Sequence, residues 1–314
     1  MRTNEFLDAL RNKSVIAVVD SKENAHVLQD LGFKQIANFD EFDFENNNKP
    51  LLVIMAQYDS QHRMNEELWD TSGGIFTHLT LSKFDPAPET LRYSMQKILG
   101  IPDYQAMLDY RDALYDQAFS ATEIKIHTDN GNILTGTLAD EVEVANYDSV
   151  LEPGWLYSLA EFFETSIVNV QANKSSFSVE GRFSFTGITH LENSLKLKLS
   201  TASLTSKMMA LAQQGNNWLE CKDNSIIKII LGGEDFTETL MSSVKGSQRE
   251  LSLTEFAFGA VERQEPMDWG INSVLNEGIK GVHIGIGMGL DTPHIDFIAA
   301  GARLEFVGKP YDGD

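Results

Sequence analysis

The strongest constraint on the fold of this chain is a change of secondary-structure pattern near residue 120. Before that point, short apolar runs alternate with segments of helical periodicity, which is typical of strand–helix–strand units around a small parallel sheet. The first unit is a run at residues 14–20, then a helical segment at 22–31 that stops at Gly32. Further runs follow at 50–56 and 74–80, and helices are predicted at 88–99 and 104–119. We therefore predict an α/β N-terminal domain over residues 1–120.

After residue 120 the pattern favours antiparallel strands. Asp129, Asn130 and Gly131 separate two alternating runs at 122–127 and 132–138, which is a strong β-hairpin signal. Further strands are predicted at 176–185, 195–199 and 225–231, and one helix at 206–213. We predict an α+β C-terminal domain, rich in antiparallel strands, over residues 121–314. A length of 314 residues agrees with two domains of roughly 100–200 residues each.

The charge of the chain disfavours one class of partner. The formal net charge is −21 at pH 7. Such a surface repels phosphate backbones, because proteins bind them by displacing counterions with Lys and Arg. We therefore expect no nucleic-acid partner.

Cysteine usage and hydropathy bear on location. Cys221 is the only cysteine, so an internal disulfide is excluded. Residues 1–10 lack the basic start and apolar centre of a signal peptide, and no apolar run reaches the roughly 18–20 residues that cross a bilayer. The expectation is a cytoplasmic protein without a membrane partner.

Candidate metal ligands cluster in the last sixty residues. His294 and Asp296 are two positions apart on a predicted strand, so their side chains share one face. His283 precedes them by a short Gly-rich segment, and Glu255 lies in an apolar stretch where an ionised carboxylate needs a cation or hydrogen bonds. Imidazole and carboxylate donors in this pattern predict a site for Zn, Co, Mn or Fe.

The glycines between the two histidines do not indicate a phosphate site. Gly285, Gly287 and Gly289 have neither the P-loop nor the dinucleotide-binding spacing. We predict that they form turns around the metal site.

These motifs resemble the metal centre of the aminopeptidase T type of leucyl aminopeptidases. The resemblance lies in LTEFAFG at 253–259, GVHIGIG at 281–287 and PHIDF at 293–297, and the hairpin at 121–134 is similar to the strand pair that opens the C-terminal domain of that family. It implies an aminopeptidase T-like fold and a homodimer. It also implies one or two divalent ions bound by Glu255, His283, His294 and Asp296.

A further family glutamate acts as ligand or general base. Glu161, in the context Ala-Glu-Phe-Phe, resembles it better than Glu164 does, so the resemblance assigns this catalytic role to Glu161. The family tyrosine has no equivalent here, because the loop between His283 and His294 is short and Leu290 is the nearest counterpart.

The chain also resembles 2,5-dihydroxypyridine 5,6-dioxygenases, which share this fold and bind one Fe(II) with two histidines and an aspartate. Their final His-x-Asp matches His294 and Asp296. Glu255 stands where that family has its other histidine, so His283 would complete a facial triad of two histidines and a carboxylate.

Three functions remain open at this point. The leading hypothesis is a metal-dependent hydrolase that cleaves an amide or peptide bond of a peptide or small-molecule substrate with metal-activated water. The alternative is a mononuclear Fe(II) dioxygenase that opens a ring. The third is a non-catalytic member of the fold that binds peptides or serves as a scaffold, which the missing tyrosine motivates.

Overall fold

The structure is a computed structural model that describes residues 1–68, 73–145, 149–169, 171, 175–262, 264 and 267–308. Its α-helices are α1 (Thr3–Arg11), α2 (Lys22–Asp30), α3 (Tyr58–Arg63), α4 (Pro88–Leu99), α5 (Tyr104–Ser120), α6 (Leu195–Ala212) and α7 (Thr237–Val244). A π-helical turn lies at Met64–Leu68, and 3-10 turns lie at Asp129–Gly131, Ala160–Phe163 and Val274–Asn276.

The strands, in chain order, form one parallel and two antiparallel sheets. They are β1 (Ile16–Val19), β2 (Ile36–Asn38), β3 (Leu51–Met55), β4 (Phe76–Thr80), β5 (Ala121–His127), β6 (Ile133–Leu138), β7 (Val144–Ala145), β8 (Leu156–Ser158), β9 (Glu164–Val168), β10 (Phe177–Phe185), β11 (Gly187–Leu191), β12 (Asn217–Lys222), β13 (Ser225–Leu231), β14 (Glu234–Asp235), β15 (Leu253–Gly259), β16 (Gly281–Ile286), β17 (His294–Ala300) and β18 (Arg303–Gly308).

Contacts divide the chain into two compact units, each made of three segments. The first comprises Met1–Leu108, Asn146–Phe163 and Ile271–Leu275; the second comprises Asp109–Ala145, Glu164–Gly270 and Asn276–Asp314. The division near residue 120 stays a prediction, because a unit defined by contacts need not be a domain that folds alone.

The first unit contains a parallel sheet in the order β2-β1-β3-β4-β8. Its central strand β3 is buried along its whole length, as expected for a parallel strand with both faces covered. The predicted parallel sheet is therefore confirmed. Strand β8 joins it from a later part of the chain, and its three residues are too few to give a recognisable pattern.

The second unit contains two antiparallel sheets with a shared apolar core. One has the order β14-β13-β12-β10-β6-β5-β18, and the other has the order β11-β17-β16-β15-β9-β7. Aromatic pairs join their inner faces, including Phe177 with Phe256 and Phe185 with Phe297. The outer face of the six-stranded sheet is thus left for polar side chains.

The predicted hairpin is confirmed, and one predicted strand is wrong. Strands β5 and β6 pair antiparallel around Asn130 and Gly131, which both have a positive φ. Residues 195–199, predicted as a strand, are the first turns of α6. The alternating Leu-Lys pattern suggested a strand, but the Ser194 side chain accepts a hydrogen bond from the backbone N–H of Leu197 and so caps a helix at that point.

The described helices include none with the length and apolar character that crossing a membrane would require.

Candidate metal centre

The predicted ligands lie on one face of the six-stranded sheet because of strand register. Gly285 on β16 lies opposite both Glu255 on β15 and Asp296 on β17. His283 and His294 are two positions from Gly285 and Asp296 on their strands, so they share that face. The structure therefore brings together residues that are up to about forty positions apart in the sequence.

The donor atoms converge within hydrogen-bonding or coordination range. The His294 Nε2 atom lies 3.1 Å from Glu255 Oε2 and 3.0 Å from Asp296 Oδ1. The Nε2 atom of His283 lies 3.7 Å from the other oxygen of Glu255, Oε1. Glu255 thus stands between the two imidazoles and faces both.

Two overlapping groups of donors result. Glu255, His294 and Asp296 offer donor atoms within 4.8 Å of one another, and so do Glu164, Glu255 and His283. Because Glu255 belongs to both groups, one carboxylate can bridge two neighbouring ion positions or hold a single ion in either.

The glutamate that joins this cluster is Glu164. It is the first residue of β9 and lies opposite Gly259, which places it on the ligand face. Glu161, which the sequence analysis preferred, lies in the 3-10 turn of the first compact unit, where its charge acts on Lys83. The catalytic role of Glu161 stays a prediction. Motif context favoured Glu161, whereas strand register brings Glu164 to the cluster.

A second acidic residue at the cluster escaped the sequence analysis. Glu277 is buried, and its Oε1 atom lies 2.5 Å from the Thr189 hydroxyl. Thr189 lies opposite Asp296 in the pairing of β11 with β17. Glu277 occupies a turn between strands, where a lone glutamate normally faces solvent. The sequence around it therefore gave no indication that it lies at the cluster.

One ring nitrogen of His294 faces a backbone carbonyl, and the other faces the carboxylates. Its Nδ1 atom lies 2.9 Å from the carbonyl oxygen of Gly287. Because a carbonyl only accepts hydrogen bonds, Nδ1 carries a proton, and Nε2 is the atom that meets Glu255 and Asp296. Metal-binding histidines commonly have this arrangement, in which the second nitrogen is fixed by a carbonyl or carboxylate.

Burial and charge shift the pKa values of the cluster strongly. Burial favours neutral forms, but hydrogen bonds from His283 and His294 outweigh it and hold the pKa of Glu255 well below its usual range. Burial likewise lowers the pKa of His283, yet the surrounding carboxylates Glu255, Glu164 and Asp296 raise it to about 10. The surrounding carboxylates therefore stabilise the cationic form of His283 near neutral pH.

The pKa values of His294 and Glu277 are also shifted by burial and by neighbouring charges. Burial opposes the charged form of His294, but Asp296 and Glu255 raise its pKa well above the ordinary value. Burial, Asp296 and Glu164 together raise the pKa of Glu277 well above the ordinary value.

Three observations fit a divalent ion in this cluster. Three carboxylates, Glu164, Glu255 and Asp296, lie beside two imidazoles, and a divalent cation would balance their negative charge. Among the described residues, His283 Nδ1 and Asp296 Oδ1 are buried without a hydrogen-bond partner, although Asp296 Oδ1 is close to His294. Mixed imidazole and carboxylate donors suit Zn, Mn, Fe and Co.

The glycines of this region differ in role from one another. Gly287 and Gly289 have a positive φ and form the turn after β16, as predicted. Gly285, also predicted as a turn-former, lies within β16 instead. The His294 and Asp296 side chains lie over Gly285, so this position has no room for a side chain.

Metal binding is expected to strengthen as the pH rises. The raised pKa of His283 contributes stability to the metal-free protein that is fully present below about 6.5 and lost as the pH rises towards about 10. An ion must displace these protons, so its affinity should increase about tenfold per pH unit for each proton displaced. Zinc affinity measured by chelator competition at several pH values tests this, and calorimetry in buffers of different ionisation enthalpy counts the protons. A pH-independent affinity would contradict the protonated cluster.

Comparisons with known proteins give a family and a fold. The family model described as crocagin biosynthetic protein CgnE/B matches residues 12–307. Among solved structures, 2,5-dihydroxypyridine dioxygenase from Pseudomonas putida KT2440 is similar, with a TM-score of 0.51 and 14% sequence identity over 96% of this chain and 92% of that chain. A search of curated protein sequences found no significant match. The dioxygenase resemblance is thus supported at the level of the fold, and the aminopeptidase T resemblance gains no such support.

Proposed function

This chain belongs to the crocagin biosynthetic protein CgnE/B family, and from that premise we propose that it is a metal-dependent biosynthetic enzyme whose centre is an Fe(II) site for oxygen chemistry. The observation that carries the proposal is that Glu255 lies between the two imidazoles, one of which also meets Asp296.

The choice of iron rests on the donor set and on the fold. His283 and His294 with one carboxylate provide the donor types of the facial triad found in non-haem iron oxygenases. A dioxygenase has a similar fold. When bound, Fe(II) would supply the redox chemistry that the amino acid side chains lack.

The residues themselves would hold the ion and limit access to it. His294, Asp296 and Glu255 form the group with the shortest contacts, and His283, whose Nε2 atom faces the other oxygen of Glu255, would have to join them to supply the second imidazole of the triad. The side chains of Glu255 and His294 are 19% and 12% exposed, whereas His283 and Asp296 are almost fully buried. A substrate would therefore approach from the side of Glu255 and His294, and the remaining ligands would be kept from water.

A hydrolase remains the second candidate, and it is supported by the presence of Glu255 in both donor groups. Two overlapping donor groups with one carboxylate in common suit a pair of ions, and paired ions commonly activate water for hydrolysis. In that reaction Glu161 keeps its predicted role as ligand or general base. A homodimer also stays a prediction.

Metal analysis with a nitric oxide probe distinguishes these functions without a known substrate. The purified protein would be loaded anaerobically with Fe(II), washed and analysed for metal, then exposed to nitric oxide. We expect one iron per chain and the high-spin EPR signal of a mononuclear iron nitrosyl. Two zinc ions per chain with no nitrosyl signal would instead favour the hydrolase. A protein that retains no metal would refute both and leave the non-catalytic binding or scaffold hypothesis.

A further inference from the structure

Strand β15 is irregular at the residue that precedes Glu255. Leu253 and Phe256 both lie in the apolar core although they are three positions apart, whereas strict alternation would put them on opposite faces. The register with β16 shifts between Leu253, which pairs with Ile286, and Glu255, which pairs with Gly285. Thr254 is therefore the extra residue of a β-bulge.

The bulge determines where Glu255 points. A bulge changes the phase of alternation and redirects the side chains that follow it. Because Phe256 must remain in the core, the shift at Thr254 leaves Glu255 on the opposite, ligand-bearing face. The bulge thus lets Leu253 and Phe256 both lie in the core while Glu255, between Thr254 and Phe256, points to the ligand-bearing face.

The Thr254 side chain also reaches His294 through one carbonyl. Its hydroxyl is buried and donates to the carbonyl oxygen of Gly287 at 2.9 Å, with Gly285 O at 3.3 Å. The same Gly287 oxygen accepts from His294 Nδ1 at 2.9 Å. The backbone carbonyl of Thr254 is held as well, since it accepts from the N–H of Asn169 at 2.8 Å.

We propose that Thr254 is the positioning residue of the metal site, because its hydroxyl fixes the Gly287 carbonyl that orients His294 Nε2 towards the ion. The proposal rests on the proposed metal site. The Thr254 hydroxyl touches no reacting atom and acts through Gly287 and His294. Loss of an outer-sphere partner that bonds a ligand directly, as the Gly287 carbonyl bonds His294, typically changes metal affinity by about 10–100-fold, so loosening that carbonyl should give an effect at the lower end of this range.

Two substitutions separate the hydroxyl from the shape of the side chain. Thr254→Val keeps the branched shape and removes the hydroxyl, whereas Thr254→Ser keeps the hydroxyl. We expect Thr254→Val to weaken zinc binding by at least about tenfold, and Thr254→Ser to stay within about threefold of the wild type. Zinc is the probe, and affinity is measured by competition with a chromophoric chelator. Thermal unfolding of each metal-free variant checks its folding, and Thr254→Ala replaces Thr254→Val if the latter does not fold.

A second measurement reads the hydrogen bond itself without any metal. In the metal-free protein labelled with nitrogen-15 at histidine, the Nδ1 proton of His294 should exchange with solvent roughly tenfold faster in Thr254→Val than in the wild type, because the carbonyl that holds it is less constrained. If wild type binds no zinc, the proposed metal site fails, while this exchange rate still tests Thr254. Equal exchange and equal zinc affinity in wild type and Thr254→Val would overturn the proposal, as would equal damage by Thr254→Ser.

Discussion

Replacing Glu255 with glutamine is expected to lower metal affinity by more than about 100-fold, the largest effect of any single substitution in the cluster. Glu255 is common to both donor groups, so the change removes an anionic ligand from each. Glutamine has almost the same shape, which limits the change to charge and coordination. Zinc and Fe(II) affinities measured by competition with a chelator test this expectation.

The same substitution should also destabilise the metal-free protein. Removing one partner of a buried ion pair leaves the other charge less well compensated; here His294 would keep only Asp296, and His283 would lose the carboxylate that its Nε2 atom faces. Losses of about 3–5 kcal/mol are typical of such changes, and urea unfolding near pH 7 measures them.

An exposed glutamate provides the matched control. The side chain of Glu262 is 72% exposed and pairs with Lys280 at 2.7 Å. Its replacement by glutamine removes the same charge but should change unfolding by less than about 1 kcal/mol. If Glu255→Gln and Glu262→Gln bind metal equally well, Glu255 is not a ligand.

Adding a single methyl group at Gly285 is expected to disrupt the site without removing any donor. A Cβ atom there would lie 2.5 Å from Asp296 Oδ1 and 2.9 Å from His294 Nε2, too close for these atoms to keep their positions. We expect Gly285→Ala to weaken metal binding by at least about tenfold and to cost about 1–3 kcal/mol of stability through overpacking. Metal competition and urea unfolding again provide the measurements.

Gly308→Ala is the control for this second substitution. Gly308 also lies in a strand, a Cβ atom there would meet no described atom within 4 Å, and neither glycine has a positive φ. Both substitutions therefore add one methyl group and restrict the backbone in the same way. Only the methyl group at position 285 lies beneath His294 and Asp296. Wild-type metal affinity in Gly285→Ala would mean that His294 and Asp296 do not bind the ion from their present positions.

Local sequence patterns were sufficient wherever neighbours in the sequence determine the structure. The hairpin around Asn130 and Gly131 follows from residues that tolerate a positive φ between alternating strands. His294 and Asp296 share a face because a strand has a period of two. Local patterns failed at residues 195–199, where a capping serine and the packing of α6 outweighed an alternating pattern.

At the candidate site, local sequence patterns failed for residues that only strand pairing brings together. Motif context favoured Glu161, but pairing of β9 with β15 brings Glu164 to the cluster. Nothing near Glu277 in the sequence indicates that it meets Thr189 across a sheet edge. The sequence predicted Gly285 as one of several turn glycines, but strand pairing places the His294 and Asp296 side chains over it.

The sequence by itself determined the classes of structure in each half of the chain and the chemical types of the candidate metal donors, because propensity, period and side-chain chemistry are local properties. Only the tertiary structure decided which carboxylates accompany His283 and His294, and which nitrogen of His294 faces them. Those outcomes depend on strand register and on the bulge at Thr254, since a shift of one residue moves every following side chain to the other face of the sheet.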